Sequence, residues 1–518
     1  METRRVAIIG AGVGGLVSAA LLAARGIEAI VLEAAPTPGG KLRALDAGGA
    51  AIDAGPTVFT LRDLFEEIFE EAGGSLSAAL TMRPADILAR HAWGADRLDL
   101  FADPARSEAA IGDFAGAEAA RGYARFRAEA ARIYNTLDRS FLRAGRTNPI
   151  GLTWRMGLRG FPDMLAIRPY TALWAALGDH FRDPRLRQLF GRYATYCGSS
   201  PFKAPATLML IAHVEAMGVW LIDGGMHALA GALEALGRAN GASYRYRAPV
   251  TRILVERGRA RGVELAGGER IAADAVICNA DPAALADGRF GAQAARAVGR
   301  VPPRRRSLSA MVWLARAETR GFPLVRHNVM FSPDYPAEFA ALHAGRLAEH
   351  PSVYVCAQDR GDGVPDPSGP ERFQIIVNAP PTGDAGGFTP AETDRCRQHM
   401  LSTLSSAGLS LALEPDATRL LSPTDFERLC PSTGGALYGR ASHGWAASFL
   451  RPGARTRIPG LYCAGGSTHP GAGVPMAALS ARTAVDRLLR DLASTARYRP
   501  AAMPGGMSTP SATMAATG

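Results

Sequence analysis

Three glycines near the start of the chain have the spacing of a phosphate-binding turn. Gly10, Gly12 and Gly15 form the pattern G-x-G-x-x-G between the apolar run 6–9 and an apolar segment of helical type, 16–25. The first glycine of such a pattern allows a tight turn, the second lets the backbone approach a pyrophosphate, and the third lets helix and strand pack closely. The helix N-terminus then presents unpaired N–H groups and a positive dipole end to the phosphates. This context predicts a dinucleotide site rather than a structural glycine turn.

The residues that follow favour one dinucleotide over the other. Glu33 ends the second predicted strand, 29–32, where its carboxylate is expected to accept hydrogen bonds from an adenosine ribose. The glycine pattern alone does not choose between NAD and FAD. Further glycine-containing segments follow at residues 39–41 and 53–56. The chain contains no second complete dinucleotide-binding fingerprint. One dinucleotide held by a long N-terminal segment indicates FAD.

A second glycine-rich loop lies near the C-terminus. The pattern predicts a strand over 460–464, a loop over 465–475 and a helix over 476–491, with Pro475 near the helix start, where proline fits. A strand, a glycine loop and a helix N-terminus suit a phosphate or a flavin ring, whereas a plain turn does not need so many glycines. His469, within this loop, is expected to contact the cofactor rather than to transfer a catalytic proton.

Length, charge and cysteine content narrow the class of protein. A chain of 518 residues is too long for one core and favours two or three domains. A net charge of +10 fits either an arginine-rich solvated surface or contact with an anionic membrane surface. No nucleic-acid-binding module is present, so nucleic acid is not expected as a partner. The six cysteines are far apart and include no C-x-x-C, which argues against a metal site and for a reducing compartment.

The segment from 150 to 190 combines large apolar residues with arginines. Trp154 and Trp174, alternating with residues such as Arg155, suit a surface that lies in a lipid headgroup region. An ordinary helical subdomain with its apolar side chains inside is an equal alternative. No run of 18 or more uninterrupted apolar residues resembles a spanning helix. We therefore expect a cytoplasmic protein that associates peripherally with the inner face of the membrane.

Individual polar residues admit more than one interpretation. His213 and Glu215 lie on a predicted apolar helix, 206–220, and could face a tunnel, although a core pair with satisfied hydrogen bonds is the preferred interpretation. The arginine run 304–306 is expected to be solvated, with lipid headgroup contact as the minority alternative. Three histidines without a pattern are expected at the surface: His327, His343 and His350.

The remaining hydrophobic periodicity predicts an α/β chain. Expected helices cover 64–72, 115–142, 227–239 and 392–407. Expected strands cover 249–256, 260–265, 270–278, 309–315 and 372–378. The tail 500–518, rich in Pro, Gly, Ser, Thr and Ala, is expected to be disordered.

With these motifs together, the sequence resembles the phytoene desaturase family, flavoproteins related to the monoamine oxidases. The resemblance covers nearly the whole chain. Beyond the first glycine loop it rests on residues 53–57, 223–226, 279–281 and 468–473, of which the last set is the most specific.

The resemblance implies an α/β fold with a Rossmann-like FAD-binding domain of the amine-oxidase and phytoene-desaturase type. That domain would be discontinuous, formed by 1–75, 223–300 and 440–499. A mixed α+β substrate domain would comprise 76–222 and 301–439, with a helical membrane-facing part near 115–222.

The cofactor contacts also follow from the resemblance. The FAD-binding residues it implies are Gly10, Gly12, Gly14, Gly15, Glu33, Gly39, Gly40, Lys41, Gly55, Pro56, Thr57, Val250, Gly465, Gly466, His469, Gly473, Val474 and Pro475. Lys41 stands where arginine is frequent in the family, and Gly466 stands where more distant flavoenzymes carry aspartate. Neither departure changes the FAD assignment. The resemblance assigns no catalytic side chain and no metal ligand.

Within the family, residues 55–60 and 218–226 look most like those of the hydroxycarotenoid 3,4-desaturases. That likeness implies removal of a hydride and a proton from carbons 3 and 4 of a 1-hydroxylated acyclic carotenoid. The flavin accepts the hydride and the polyene spreads the resulting cation, so the protein supplies alignment and an apolar tunnel rather than a strong base. Alternatives are desaturation of phytoene or neurosporene, isomerisation or saturation, and carotenoid binding without turnover. The electron acceptor, oxygen or a quinone, stays open.

Overall fold

The computed structural model describes residues 4–146, 148, 151–152, 154, 167–364 and 366–497. Two predictions fall outside these residues. They are the arginine-rich part of the 150–190 segment, between 155 and 166, and the disordered tail, 500–518.

A five-stranded parallel sheet forms the base of the fold. Across the sheet, its strands are Leu461–Cys463, Ala275–Cys278, Arg5–Ile9, Glu28–Leu32 and Ser243–Arg245. The central strand is apolar and buried from Val6 to Ile9, as expected where both faces of a parallel sheet are covered. Because the strands are parallel, the loops that follow Ile9 and Cys463 emerge at the same edge. Helices Val13–Ala23 and Val474–Arg497 continue from these loops and pack against each other.

The strands of this sheet come from three separate stretches of sequence, all inside the segments predicted to form the FAD-binding domain. The domain boundaries themselves stay a prediction.

A three-stranded antiparallel sheet covers the other face. Its strands are Val250–Glu256, Arg259–Leu265 and Arg270–Ala272. The prediction of one strand over 270–278 is wrong, because the chain changes sheets within it and Ala275–Cys278 pairs with Arg5–Ile9 instead. Asp274 fixes the crossing: its carboxylate accepts the N–H of Arg5, and its own N–H donates to the Arg5 carbonyl, both at 2.9 Å.

A seven-stranded mixed sheet forms the second half of the fold. Across the sheet, its strands are Thr418–Leu421, Ser309–Ala317, Glu371–Ala379, Val353–Ala357, His327–Met330, Ile87–Trp93 and Asp96–Phe101. Side chains along a strand alternate between faces. On Glu371–Ala379, Phe373 and Ile375 pack with helix Pro390–Ser406, whereas Gln374 and Ile376 point to the opposite side and line a cavity.

In the described part of the helical region near 115–222, three phenylalanines pack inward. Phe126, Phe181 and Phe190 are buried against one another, with ring centroids 4.5–5.6 Å apart. The expectation that Trp174 lies at a membrane-facing surface is wrong, because its ring packs on Phe202 at 4.8 Å. Among the described residues, no helix is long and apolar enough to cross a membrane.

Two predicted helices are shorter than expected. The helix predicted over 115–142 ends at Leu137 and gives way to a π-helical turn, Asp138–Leu142. In the segment 206–220, a 3₁₀ turn precedes helix Leu210–Ala216, and Gly218, at φ +130°, then leads the chain into a strand at Trp220.

The other elements connect these layers. The remaining helices are Arg62–Glu71, Leu76–Ala79, Pro104–Ala115, Ala117–Leu137, Leu173–Leu177, Pro184–Gly191, His227–Ala239, Pro282–Ala286, Tyr335–His343 and Pro423–Leu429. Short 3₁₀ segments are Arg192–Cys197, Ala206–Met209, Ala294–Ala297, Pro303–Arg305, Pro415–Ala417 and Ala447–Leu450. Three two-stranded sheets pair Ala44–Ala47 with Ala50–Asp53, Met82–Pro84 with Trp220–Ile222, and Thr319–Arg320 with Ser410–Leu411.

Candidate active site

The predicted glycine segments meet at the edge of the parallel sheet. Gly39 donates its N–H to the carbonyl of Ala11 at 2.8 Å and forms a parallel bridge with Gly12. A Cβ atom added at Gly14 would lie 2.9 Å from the backbone nitrogen of Gly465. The N-terminal loop, the second glycine pair and the C-terminal loop are therefore in contact, although up to about 450 residues separate them in the sequence.

The start of helix Val13–Ala23 is available to an anion. Gly12, at the N-cap of this helix, has no side chain that could accept a hydrogen bond. The first N–H groups of the helix therefore have no N-cap side chain as acceptor. Glu33 lies alongside, and its carboxylate accepts the N–H groups of Ala11 at 2.6 Å and Ala35 at 2.7 Å. A carboxylate offers about four lone-pair sites, so Glu33 retains acceptor capacity for ribose hydroxyls.

Asn279 completes this cradle and was not predicted as a site residue. It follows the strand Ala275–Cys278, and its amide nitrogen donates to the carbonyl of Gly10 at 3.3 Å. A Cβ atom at Gly12 would lie 2.9 Å from the same nitrogen, and one at Gly465 would lie 3.0 Å from its oxygen. The 279–281 motif drew attention to the position, but only the fold shows that it joins the two glycine loops.

A cavity of about 420 Å³ adjoins these loops. The predicted cofactor residues that line it are Lys41, Gly55, Pro56, Thr57, Gly473, Val474 and Pro475. Much of the remaining wall is aliphatic or aromatic, including Val58, Leu61, Leu137, Phe141, Leu208, Ile211, Val214, Val312, Val329, Val353, Ile376 and Phe426. Lys41 donates from Nζ to the carbonyl of Leu437 at 2.6 Å. The space therefore joins a predicted cofactor wall to a mostly apolar enclosure.

A chain of hydrogen bonds links the cofactor wall to the seven-stranded sheet. The Tyr354 hydroxyl lies 2.7 Å from Thr57 Oγ1 and 2.7 Å from His327 Nδ1. The expectation that His327 lies at the surface is wrong: it occupies an inner strand of the sheet and is 2% exposed. Burial lowers the pKa of this histidine to about 3, so the imidazole is neutral at ordinary pH.

Glu215 lines the cavity and has its hydrogen bonds satisfied by two tyrosines. Its two carboxylate oxygens accept the hydroxyls of Tyr193 at 2.6 Å and Tyr196 at 2.8 Å. The predicted pairing of Glu215 with His213 is not observed; the ring of His213 packs against Tyr134 with centroids 5.1 Å apart. Arg192, also in the cavity wall, stacks over the Tyr196 ring at 5.0 Å.

Three predicted cofactor residues lie neither in the cavity wall nor in the glycine cradle described above. The ring nitrogen Nε2 of His469 lies 2.8 Å from the carbonyl oxygen of Ala144 and 3.0 Å from that of Phe141, which ties the C-terminal loop to the helical region. Gly466 has open space where a side chain would be. Val250 begins its strand two residues after Ala248, whose N–H donates to the Glu33 carbonyl at 2.8 Å. Contact of these residues with FAD stays a prediction.

Comparison with known proteins decides the family. Residues 13–489 match the family model described as flavin containing amine oxidoreductase. The chain belongs to this family. It is 50% identical, over 516 residues, to a protein from Rubrivivax gelatinosus called hydroxyneurosporene desaturase, and the match covers 99% of this chain and 98% of that protein. A hydroxyneurosporene desaturase from Cereibacter sphaeroides is 46% identical over 499 residues, covering 95% and 99% of the two chains.

Solved structures support the same fold. An oxidoreductase from Methanosarcina mazei aligns with a TM-score of 0.58 at 17% identity, covering 93% of this chain and 100% of that one. Membership of the flavin containing amine oxidoreductase family confirms the predictions of FAD as cofactor and of oxidoreductase chemistry. The relatives confirm the resemblance to the phytoene desaturase family.

The residues present fit FAD. Crowding against Gly465 and Gly10 excludes side chains at Gly14 and Gly15, so these glycines allow the close packing of helix and loops that a pyrophosphate-binding turn needs. The helix N-terminus and Glu33 would hold the pyrophosphate and the adenosine ribose. Lys41 and Thr57, in the cavity wall, would lie against the flavin ring.

Proposed function

We propose that this flavin containing amine oxidoreductase family member is a desaturase that introduces a C3–C4 double bond into 1-hydroxylated acyclic carotenoids such as hydroxyneurosporene and hydroxylycopene. The observation that carries the proposal is the cavity: a mostly apolar space that opens directly on the predicted flavin wall. Relatives called hydroxyneurosporene desaturase, up to 50% identical over almost the full chain, supply the substrate class.

The bound FAD would supply the hydride acceptor. The protein's own contribution is to align the chain and to exclude water. Aliphatic residues on helix Leu210–Ala216 and on strands of the seven-stranded sheet both line the cavity, and such a wall suits a hydrocarbon chain. The proposal assigns no side chain as a base, because the allylic cation makes the adjoining C–H bond acidic.

We further propose that the carotenoid is drawn from an anionic membrane surface, where the protein lies peripherally on the cytoplasmic face. Tyr170 and Trp445 are 73% and 45% exposed, and their rings contact each other at 5.5 Å. Leu450, 51% exposed, follows a few residues later. Ser442 and Ser448, on the same stretch as Trp445, line the cavity. An aromatic surface patch and the cavity wall therefore belong to one segment.

The substrate test uses purified, FAD-loaded protein mixed anaerobically with one carotenoid at a time. 1-Hydroxyneurosporene or 1-hydroxylycopene should bleach the flavin and give a product of longer absorption wavelength, two mass units lighter. Neurosporene, lycopene and phytoene should react several orders of magnitude more slowly, whereas a site that measures only hydrocarbon shape would discriminate by about tenfold to a hundredfold. Readmission of oxygen, compared with addition of a quinone, would identify the electron acceptor.

Three results would redirect the assignment. Efficient conversion of phytoene or neurosporene would promote desaturation at another step. A product of unchanged mass would indicate isomerisation. Binding without bleaching would leave a carotenoid-binding flavoprotein.

A further inference from the structure

Two buried arginines line the apolar cavity, Arg192 and Arg451. Arg451 donates to the carbonyls of Tyr438 at 2.9 Å and Arg440 at 2.7 Å, whereas Arg192 is placed differently. Arg192 begins the 3₁₀ segment Arg192–Cys197, lines the cavity and is 8% exposed. Its Nε has no hydrogen-bond partner among the described residues. Within the residues that the structure describes, Arg192 forms no ion pair with a carboxylate within 4.0 Å. A buried charge without a carboxylate in direct contact is costly, so this arrangement calls for an explanation.

The surroundings keep this arginine charged. Burial by itself would lower the pKa of the guanidinium, but Tyr196 and Glu215 together raise the pKa above its ordinary value. Glu215 uses one site on each oxygen for Tyr193 and Tyr196, out of about four lone-pair sites in all. The wall therefore brings a guanidinium group and a carboxylate acceptor to the same cavity.

A hydroxyl group matches both partners, since it donates one hydrogen bond and accepts others. We infer that Arg192 and Glu215, with Tyr196 between them, form the binding site for the C1 hydroxyl of the carotenoid. This inference rests on the proposed function and assigns its substrate preference to particular residues. An unhydroxylated chain would leave the same buried polar groups without a partner, which is how a site of this kind rejects close analogues.

The position of the cluster suits the bond that reacts. Arg192, Tyr196 and Tyr354 all line the same cavity. Tyr354 in turn contacts Thr57, a predicted cofactor residue, at 2.7 Å. Only two bonds separate C1 from C3 in the substrate. A hydroxyl held by Arg192 would therefore leave carbons 3 and 4 within the same cavity, which the predicted cofactor residues Thr57 and Pro56 also line.

Gln374 is the rival site. Its Nε2 donates to the Gly55 carbonyl at 3.0 Å, and its Oε1 has no partner among the described residues while the residue lines the cavity. This amide oxygen accepts only, so it could bind a hydroxyl through one hydrogen bond. Arg192 and Glu215 together provide both a donor group and an acceptor group for a hydroxyl. The experiment therefore has to distinguish binding at this pair from binding at Gln374.

The test compares kcat/KM for 1-hydroxyneurosporene and neurosporene in FAD-loaded variants. Arg192→Met should lower kcat/KM for the hydroxylated substrate on the order of 100-fold and lower the preference for it by a similar factor. Arg192→Lys, which retains the charge, should recover part of that loss. Arg187→Met is the control: Arg187 stacks on Trp174 at 4.9 Å outside the cavity wall, so the wild-type preference should persist.

Each outcome bears on one claim. Wild-type preference retained in Arg192→Met, or abolished by Gln374→Leu alone, would overturn the assignment while leaving the proposed function intact. A wild-type enzyme with no preference would overturn the proposed function and this inference with it. If Arg192→Met does not retain FAD, Tyr196→Phe and Glu215→Gln decide, because both keep the volume of the side chain and should each cost about tenfold in preference.

Discussion

At the scale of single residues, the glycine cradle gives the most direct prediction. Gly12→Val should abolish FAD binding, because the new Cβ would lie 2.9 Å from the Asn279 amide and its methyl groups would fill the space that the pyrophosphate needs. The measurement is the flavin-to-protein ratio after purification, read from the visible absorbance, with circular dichroism to verify the fold.

Gly231 provides a matched control within the same protein. It lies on helix His227–Ala239, is exposed, and has no atom within 4 Å of an added Cβ. Gly231→Ala should keep full flavin content and raise the free energy of unfolding by about 0.5–1 kcal/mol, since alanine favours helix more than glycine does. Folded Gly12→Val protein with a normal flavin ratio would show that the loop does not bind the pyrophosphate.

Residue-level prediction from sequence worked where the signal was local. The glycines of the first loop could be placed because the steric demand of a phosphate turn depends on a few neighbouring residues. Asn279 could not be assigned in that way, since its partner, Gly10, is 269 positions away. His327 was misplaced for the same reason: nothing in its neighbours indicates that its strand lies inside a seven-stranded sheet.

At the scale of elements, the carboxylate of Asp53 connects the motif at 53–57 with the motif at 223–226, which are far apart in the sequence. Asp53 is 8% exposed and accepts the N–H groups of Met226 at 2.6 Å and His227 at 3.1 Å, at the start of helix His227–Ala239. Met226 itself provides no side-chain cap for that helix. Gln358 holds Asp53 in place through both of its backbone polar groups, at 3.0 and 2.9 Å.

Asp53→Ala should therefore lower the free energy of unfolding by about 2–3 kcal/mol, because one buried and one partly buried N–H group lose their carboxylate acceptor. Urea denaturation measures the change. Asp103→Ala is the comparison: Asp103 caps the exposed start of helix Pro104–Ala115 through Ala105 N–H at 2.8 Å, so its loss should cost only about 1 kcal/mol. Equal losses in the two variants would contradict the buried-cap argument.

Element types were more predictable than element partners. Helix 227–239 was predicted at its observed bounds, because its apolar spacing and the glycine turn before it are local features. The segment 270–278 has the composition of one strand, but it forms two strands that belong to different sheets. The crossing depends on the pairing of Asp274 with Arg5, which the local pattern does not contain.

At the scale of the whole molecule, the surface near the C-terminal part of the cavity wall combines aromatic and basic groups. Tyr170 and Trp445 expose their rings side by side. The backbone of this stretch bonds to basic residues, with the Ala441 N–H donating to the carbonyl of exposed Arg305 and the Gly444 N–H to that of Lys203, both at 2.9 Å. Exposed aromatic rings are suited to the headgroup region of a membrane, and the net charge of +10 favours an anionic one.

The proposed membrane contact can be tested on this patch. Wild-type protein should sediment with vesicles containing phosphatidylglycerol and be released by high salt or detergent, as an interfacial binder is. Tyr170→Ser combined with Trp445→Ser should reduce the bound fraction several-fold, because two amphipathic rings leave the interface. Val364→Ser, which removes an exposed apolar side chain on a different segment, should bind like wild type. Equal binding of the double variant would assign attachment to another surface, and wild-type protein that stays in the supernatant would remove the membrane from the proposed route of the carotenoid into the cavity.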